Sequence, residues 1–196
     1  DDELLIMNRS TFMICEECGY GHIRGNKISD EHKTPEGKEC SNRDFHSLRL
    51  GHKFKTDVIK LDISELVDEN GDTFNWDALR SFMYAFLEGM SIALQIERSD
   101  LDGLVEPVSK ESFEVLFYDN VPGGAGHVKR LMNKDGFISC LIAAWHKVTQ
   151  NCCDEDSACY SCLENYNNQR FHNILSRKKA QEVIKSIAAD LKVDLE

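Results

Sequence analysis

Apolar positions along this chain follow two rhythms. From Trp76 to Leu94 they recur at helical spacing for about five turns, through Leu79, Phe82, Met83, Phe86, Leu87, Met90 and Ala93. Asn75 stands where a capping side chain would catch the first free amides. The pattern predicts a long helix over 76–96 whose wide apolar face lies against a sheet, and its Met and Phe stripe reads as core rather than a cofactor groove. A second amphipathic helix is expected over 176–191, with Ala180, Val183, Ile184, Ile187, Ala188 and Leu191 inward and lysines outward. Gly136 to Trp145 reads as a buried helix with Cys140 as a core residue.

The other rhythm is shorter and belongs to strands. Residues 56–63, with Val58, Ile59, Leu61 and Ile63, read as a half-buried strand, and further strands are expected near 103–107 and over 113–118. Leu4 to Met7 and Phe12 to Ile14 look like short strands about a polar turn at Asn8-Arg-Ser. After the 113–118 strand comes Asp119-Asn-Val-Pro-Gly-Gly-Ala-Gly126, a glycine loop expected to open a helix at 125 that continues, with a break, to 148. Such a loop can hold an anion on free amides. It matches neither G-x-G-x-x-G nor a Walker loop, so tight turning and close helix–strand packing is the preferred reading.

The totals suit one domain, or one domain with a small appendage: 196 residues, 41% apolar and 9% aromatic. No apolar run approaches the roughly 20 residues of a membrane span. The start, Asp1-Asp-Glu-Leu-Leu-Ile-Met, has neither a signal-peptide pattern nor an initiator Met, so an excised or processed piece of a longer protein is expected. The net charge of −11 opposes nucleic acid in bulk, so any such contact must come from a local basic cluster.

The cysteines change the picture most. Cys152, Cys153, Cys159 and Cys162 place four thiols within eleven residues, between two helices. Thiolates held by Zn2+ need no other partner, and the ion cross-links the loop. Adjacent cysteines ligate together only through a tight bend, so Cys140 or His172 stays open as a substitute for one of them. Near the front, Cys15-Glu-Glu-Cys18-Gly19 has the knuckle form, and Cys40 supplies a third thiol. His32 is the preferred fourth ligand, with His22 and His46 as competitors. Paired cysteines without a secretion signal favour metal over disulfides and a reducing, cytoplasmic setting. The fold class is therefore α/β (mixed α+β). A small mixed sheet would be covered by helices and stapled by one or two zinc ions. Residues 1–49 form a zinc-knuckle segment and 50–196 an α/β zinc-binding accessory domain.

Further motifs raise a family resemblance. They are Tyr118-Asp119-x-x-Pro122-Gly-Gly-Ala-Gly126, the cluster ending Cys159-Tyr-x-Cys162-Leu163, Tyr166-x-Asn168-Gln169-x-x-His172-x-x-Leu175-x-Arg177, Cys15-x-x-Cys18-Gly19 and Leu50-Gly-His-x-Phe-x-Thr-Asp57. Together they resemble the zinc-binding domain toward the C-terminus of superfamily-two DEAD/DEAH-type helicases, the mitomycin-repair helicases and a DISARM phage-defence subunit among them. The resemblance implies a zinc-dependent accessory fold serving an ATP-driven DNA translocase, in DNA repair or phage defence. A helicase motor domain or subunit would be its partner, with single-stranded DNA as a further one. No G-x-x-x-x-G-K-S/T and no D-E-x-H stretch is present, so ATP hydrolysis is not expected of this chain. The local basic residues Lys129, Arg130, Arg170, His172, Arg177 and Lys178 are candidates for phosphate contact. Two rivals remain: a phospholipase-D-like nuclease or phosphodiesterase using His127 and Lys129, and a pure protein-interaction module.

Overall fold

The structure, a computed structural model, describes residues 2–7, 10–23, 32–63, 65–68, 70–109 and 113–195. Its contacts divide it into a front unit, Glu3–Phe54, and a rear unit, Asp1–Asp2 with Lys55–Glu196.

In the front unit β1 (Asp2–Met7) and β7 (Gly51–Thr56) form one two-stranded sheet. A second sheet has β2 (Phe12–Cys15) between β3 (Gly21–Ile23) and β6 (Phe45–Leu48), both antiparallel to it. β4 (His32–Lys33) pairs with β5 (Glu39–Cys40), His32 opposite Cys40. Among the described residues, the pinned loop expected over 19–46 thus contains β3, β4, β5 and the start of β6, each too short for a periodicity to show. β2 ends on Cys15, β4 begins on His32 and β5 ends on Cys40, so candidate ligands stand at their tips. Most of the expected turn at Asn8 lies outside the described residues.

The rear unit is built on a three-stranded sheet of β8 (Val58–Asp62), β9 (Leu101–Pro107) and β10 (Phe113–Asp119), in the order β8-β10-β9. The mixed α+β class is as expected; within it, this sheet is antiparallel throughout, with Val115 of β10 opposite Leu61 on one side and Val105 on the other.

Helix α1 (Trp76–Leu94) is the axis of the core. Asn75 Oδ1 accepts the Ala78 amide at 3.0 Å, and Gln95 closes the far end in a left-handed conformation at φ 55°. Phe82, Met83, Phe86, Leu87 and Met90 are wholly buried, and Phe86 meets Phe117 of the sheet at 5.0 Å and Phe137 at 5.1 Å between ring centroids. Helix α2 (Lys134–Thr149) starts at Asn133, whose side chain caps Asp135, and helix α3 (Arg177–Leu191) starts at Ser176. The helix expected from 125 is instead a 3-10 turn, Val128–Met132, ahead of α2. Gly126 at φ +78° is incompatible with an α-helical start there.

Helices α1 and α2 pack backbone to backbone at Gly89. A Cβ there would stand 2.4 Å from the Cys140 carbonyl oxygen and 2.6 Å from the Ala144 amide nitrogen, both backbone atoms that cannot swing aside. Gly89→Ala is expected to cost about 1–3 kcal/mol of stability, measured by denaturant unfolding, despite the better helix propensity of alanine.

Candidate metal centres

The rear cluster lies between the end of α2 and the start of α3. α2 ends at Thr149, the chain bends through Cys152 and Cys153, and a second turn presents Cys159 and Cys162. The sulfurs of Cys153 and Cys162 are 3.8 Å apart, those of Cys159 and Cys162 3.8 Å, and those of Cys152 and Cys153 3.9 Å. Zinc–sulfur bonds of about 2.3 Å at tetrahedral angles place sulfurs about 3.8 Å apart, so the donor set fits that ion. These separations are nearly twice a disulfide bond of about 2.05 Å, and all eight cysteines are free.

Backbone groups support the same geometry. The Cys159 amide donates to Cys162 Sγ at 3.2 Å, while the Cys162, Leu163 and Glu164 amides converge on the Cys159 carbonyl. Burial by itself raises the Cys159 thiol, yet the Ser161 amide and the three neighbouring thiols bring it down to about 7, suited to ligation as thiolate. Neither substitute ligand joins the set. Cys140 is fully buried in α2, where loss of solvation pushes its thiol up to about 11. His172 is held by Asn168 Oδ1 at 2.8 Å and the Asn165 carbonyl at 3.1 Å.

Arg177 is placed otherwise than its charge suggested. It is 2% exposed; its Nε donates to the Val148 carbonyl at 2.9 Å and its Nη1 to the Cys153 carbonyl, with Cys153 Sγ 3.9 Å away. A guanidinium so enclosed cannot reach a strand of DNA. It ties the cysteine loop to the end of α2, while the Arg177 and Lys178 amides tie that loop to α3 through the carbonyls of Ser157 and Glu155.

In the front unit Cys15, Cys18, His32 and Cys40 bring one donor atom each to within 4.8 Å of every other, as do the rear four cysteines. Cys18 Sγ lies 3.2 Å from His32 Nε2, and Cys15 Sγ lies 4.0 Å from Cys40 Sγ. Gly19, at φ +73°, makes the tight turn of the knuckle. Burial raises the Cys15 thiol, but the Cys18 and Glu17 amides bring it to about 7. The competing histidines are engaged elsewhere: His22 Nδ1 with the Ile23 carbonyl at 3.1 Å, and His46 Nε2 with Glu16 at 2.9 Å.

The glycine loop folds around carboxylates of the chain itself. Asp119, wholly buried, accepts the amides of Ala125, His127 and Val128 at 2.7–3.0 Å. Asp57 Oδ2 accepts the Gly126 amide at 3.2 Å, and its Oδ1 pairs with Lys129 Nζ at 2.6 Å, which holds the carboxyl below and the amine above their ordinary values. The amides that could have held an external anion are therefore occupied, in keeping with the preferred reading of the loop as a tight turn. Lys129 is paired with Asp57, which weighs against both the phosphate-contact and the His127–Lys129 catalytic readings.

The remaining basic candidates do not gather in one place. Arg130 is exposed and donates to the Leu94 carbonyl, Lys178 faces Asp156 at 3.8 Å, and Arg170 is exposed over the ring of Phe171. Arg170 lines a cavity with Arg80 and Arg98, two residues that sequence reasoning passed over. The available signal was Arg80 one turn beyond Trp76, a spacing at which a guanidinium can lie on an indole.

Residues 82–163 match the family model MZB, the MrfA Zn-binding domain. The match closes one residue past Cys162, so it contains the rear cluster and leaves the front one outside. Over 219 residues the chain is 26% identical to the Druantia protein DruE of Escherichia coli (strain UMEA 4076-1), covering 94% of this chain and 12% of DruE. The DUF1998 helicase MrfA bound to DNA is similar in structure at a TM-score of 0.52 and 14% identity, over 95% of this chain and 25% of that one. The same helicase with DNA and AMPPNP gives 0.47 at 16% identity, over 72% and 17%. The structural likeness speaks to the fold alone. The resemblance to a helicase zinc-binding domain is borne out, and a Druantia protein is among the relatives.

Wild-type protein refolded with zinc should bind two equivalents by elemental analysis, and Cys159→Ser should bind one. Asp119→Ala, which strands three amides, should cost about 2–4 kcal/mol in denaturant unfolding while leaving zinc stoichiometry at two.

Proposed function

We propose that this chain is a zinc-stapled accessory domain of a DNA helicase or of a DNA-translocating phage-defence complex, helping the motor to engage DNA or to contact a subunit. The observation that supports it most is the rear cluster. Four thiols at tetrahedral spacing sit at the end of the segment that matches an MrfA-type zinc-binding domain. Zinc bound there would supply a rigid cross-link, not a reactive centre, because four protein ligands leave no position for a substrate. The chain spans only 12% of the length of DruE, so a motor elsewhere in a larger assembly fits its size.

The match to the MrfA Zn-binding domain and the relative DruE support a motor partner and a DNA-facing role. A reducing compartment suits the free thiols, and no helix among the described residues is long and apolar enough to cross a membrane. A phosphodiesterase built on His127 and Lys129 is the less favoured reading, since the Lys129 ammonium is paired with Asp57.

The zinc-loaded chain alone should hydrolyse no ATP. Within the parent assembly, the Cys159→Ser/Cys162→Ser pair should abolish productive DNA unwinding while basal ATP hydrolysis persists. Unwinding that survives the double substitution would refute the accessory role.

A further inference from the structure

A cavity of about 340 Å³ opens beside α1, the start of β9 and the 3-10 turn Tyr166–Phe171. Its walls carry three arginines, Arg80, Arg98 and Arg170, against one carboxylate, Asp102, in a chain of net charge −11. Asp102 is engaged from within, by the Tyr118 hydroxyl at 3.2 Å and the Gly103 amide at 2.8 Å. Arg98 is partly committed as well: Nη1 donates to the Leu101 carbonyl at 2.7 Å and Nε lies 3.3 Å from Glu88.

Arg80 and Arg170 share one ring. Their guanidinium carbons lie 3.8 Å and 4.6 Å from the centroid of Phe171, and Arg80 also lies 4.6 Å from that of Trp76. Aromatic faces attract each cation, yet two cations on one phenyl ring repel, and no carboxylate among the described residues pairs with Arg170. An anion seated against both would offset that repulsion, and planar donor forks suit phosphate. At the cavity mouth Tyr166 is 81% exposed, an aromatic face of the kind on which bases stack.

We propose that this cavity holds one nucleotide of a single-stranded nucleic acid, its phosphate against Arg80 and Arg170 and its base, or the next one, stacked on Tyr166. The inference deepens the helicase-accessory reading and rests on it. A duplex keeps its bases stacked inside and would leave Tyr166 without a partner, so a single strand is the occupant the cavity favours. The rear metal loop sets one wall: Leu163, next to Cys162, accepts the Asn168 side-chain amide at 2.8 Å, and Asn168 lies within the turn that carries Tyr166 and Arg170.

Binding of a fluorescent oligothymidylate to the zinc-loaded chain, followed by anisotropy across a salt series, tests this. Arg170→Ala and Tyr166→Ala alter exposed side chains, so folding and zinc content should hold, and each should weaken binding about tenfold. Arg170→Ala should also lower the salt slope by about 1, whereas Tyr166→Ala should leave it unchanged. Thymidine monophosphate, inorganic phosphate and a blunt duplex should each compete more weakly than unlabelled oligothymidylate. Wild-type affinity in either variant, no oligothymidylate binding by the wild type, or competition by any of the other three as strong as by the oligomer would overturn the proposal. Should zinc loading and motor coupling persist in such a case, only the cavity assignment falls.

Discussion

Four sulfur atoms converge on one point between α2 and α3, and thiols alone have little reason to hold such an arrangement. Sulfur–hydrogen groups are weak donors, and ionised thiolates at this spacing repel each other. A divalent cation reverses the sign of that interaction, and its binding free energy becomes folding free energy for the loop. The consequences run outward. The Cys153 carbonyl engages buried Arg177, the first residues of α3 cap the loop at Glu155 and Ser157, and the turn after Cys162 is fixed through Leu163 and Asn168. The start of the tail helix and the turn from Tyr166 to Phe171 are thus tied to one candidate ion site.

The glycine loop shows a different use of buried charge. Asp119 lies at the end of β10 and Asp57 between β7 and β8, and the loop from Gly123 to Val128 wraps both carboxylates. Gly124 has no room for a side chain, since a Cβ would stand 2.6 Å from Asp57 Oδ2, and its φ of +73° favours glycine independently. A loop with the appearance of a phosphate cradle is therefore satisfied by internal anions. The negative charge it needs comes from the protein, and Lys129 balances the part that the amides do not.

Much of this was legible in the sequence, in proportion to how local its cause was. The α1 stripe and the Asn75 cap, the α3 stripe and the rear strands follow from periodicities within a few residues of each other. The 3-10 turn at Val128 escaped because Gly126 turns at φ +78° and the loop around it is gathered onto the distant Asp119 carboxylate, neither of which the local pattern announces. The short front strands escaped because each spans only two to four residues, too few for an apolar alternation to show, and β4 and β5 carry the candidate ligands His32 and Cys40 instead. His32 could not be separated from His22 and His46 by spacing, since what selects it is the pairing of β4 with β5 opposite Cys40. Arg177 was misplaced because charge reports a preference for water, and burial against carbonyl oxygens is a tertiary property.

The same distinction explains how so acidic a chain can present a positive recess. Net charge describes the far field, which salt screens beyond about 8–10 Å, whereas the near field is set by which side chains packing brings together. Trp76 and Phe171 hold Arg80 by its faces at 8% exposure, where a hydrated lysine would be poorly accommodated. Phe171 belongs to the turn that the metal loop positions, so the placement of two guanidiniums on one ring depends on sulfur geometry several residues upstream. Zinc held by the rear thiols would act on electrostatics indirectly, by fixing the turn whose Phe171 ring the two arginines share rather than by lending its own charge.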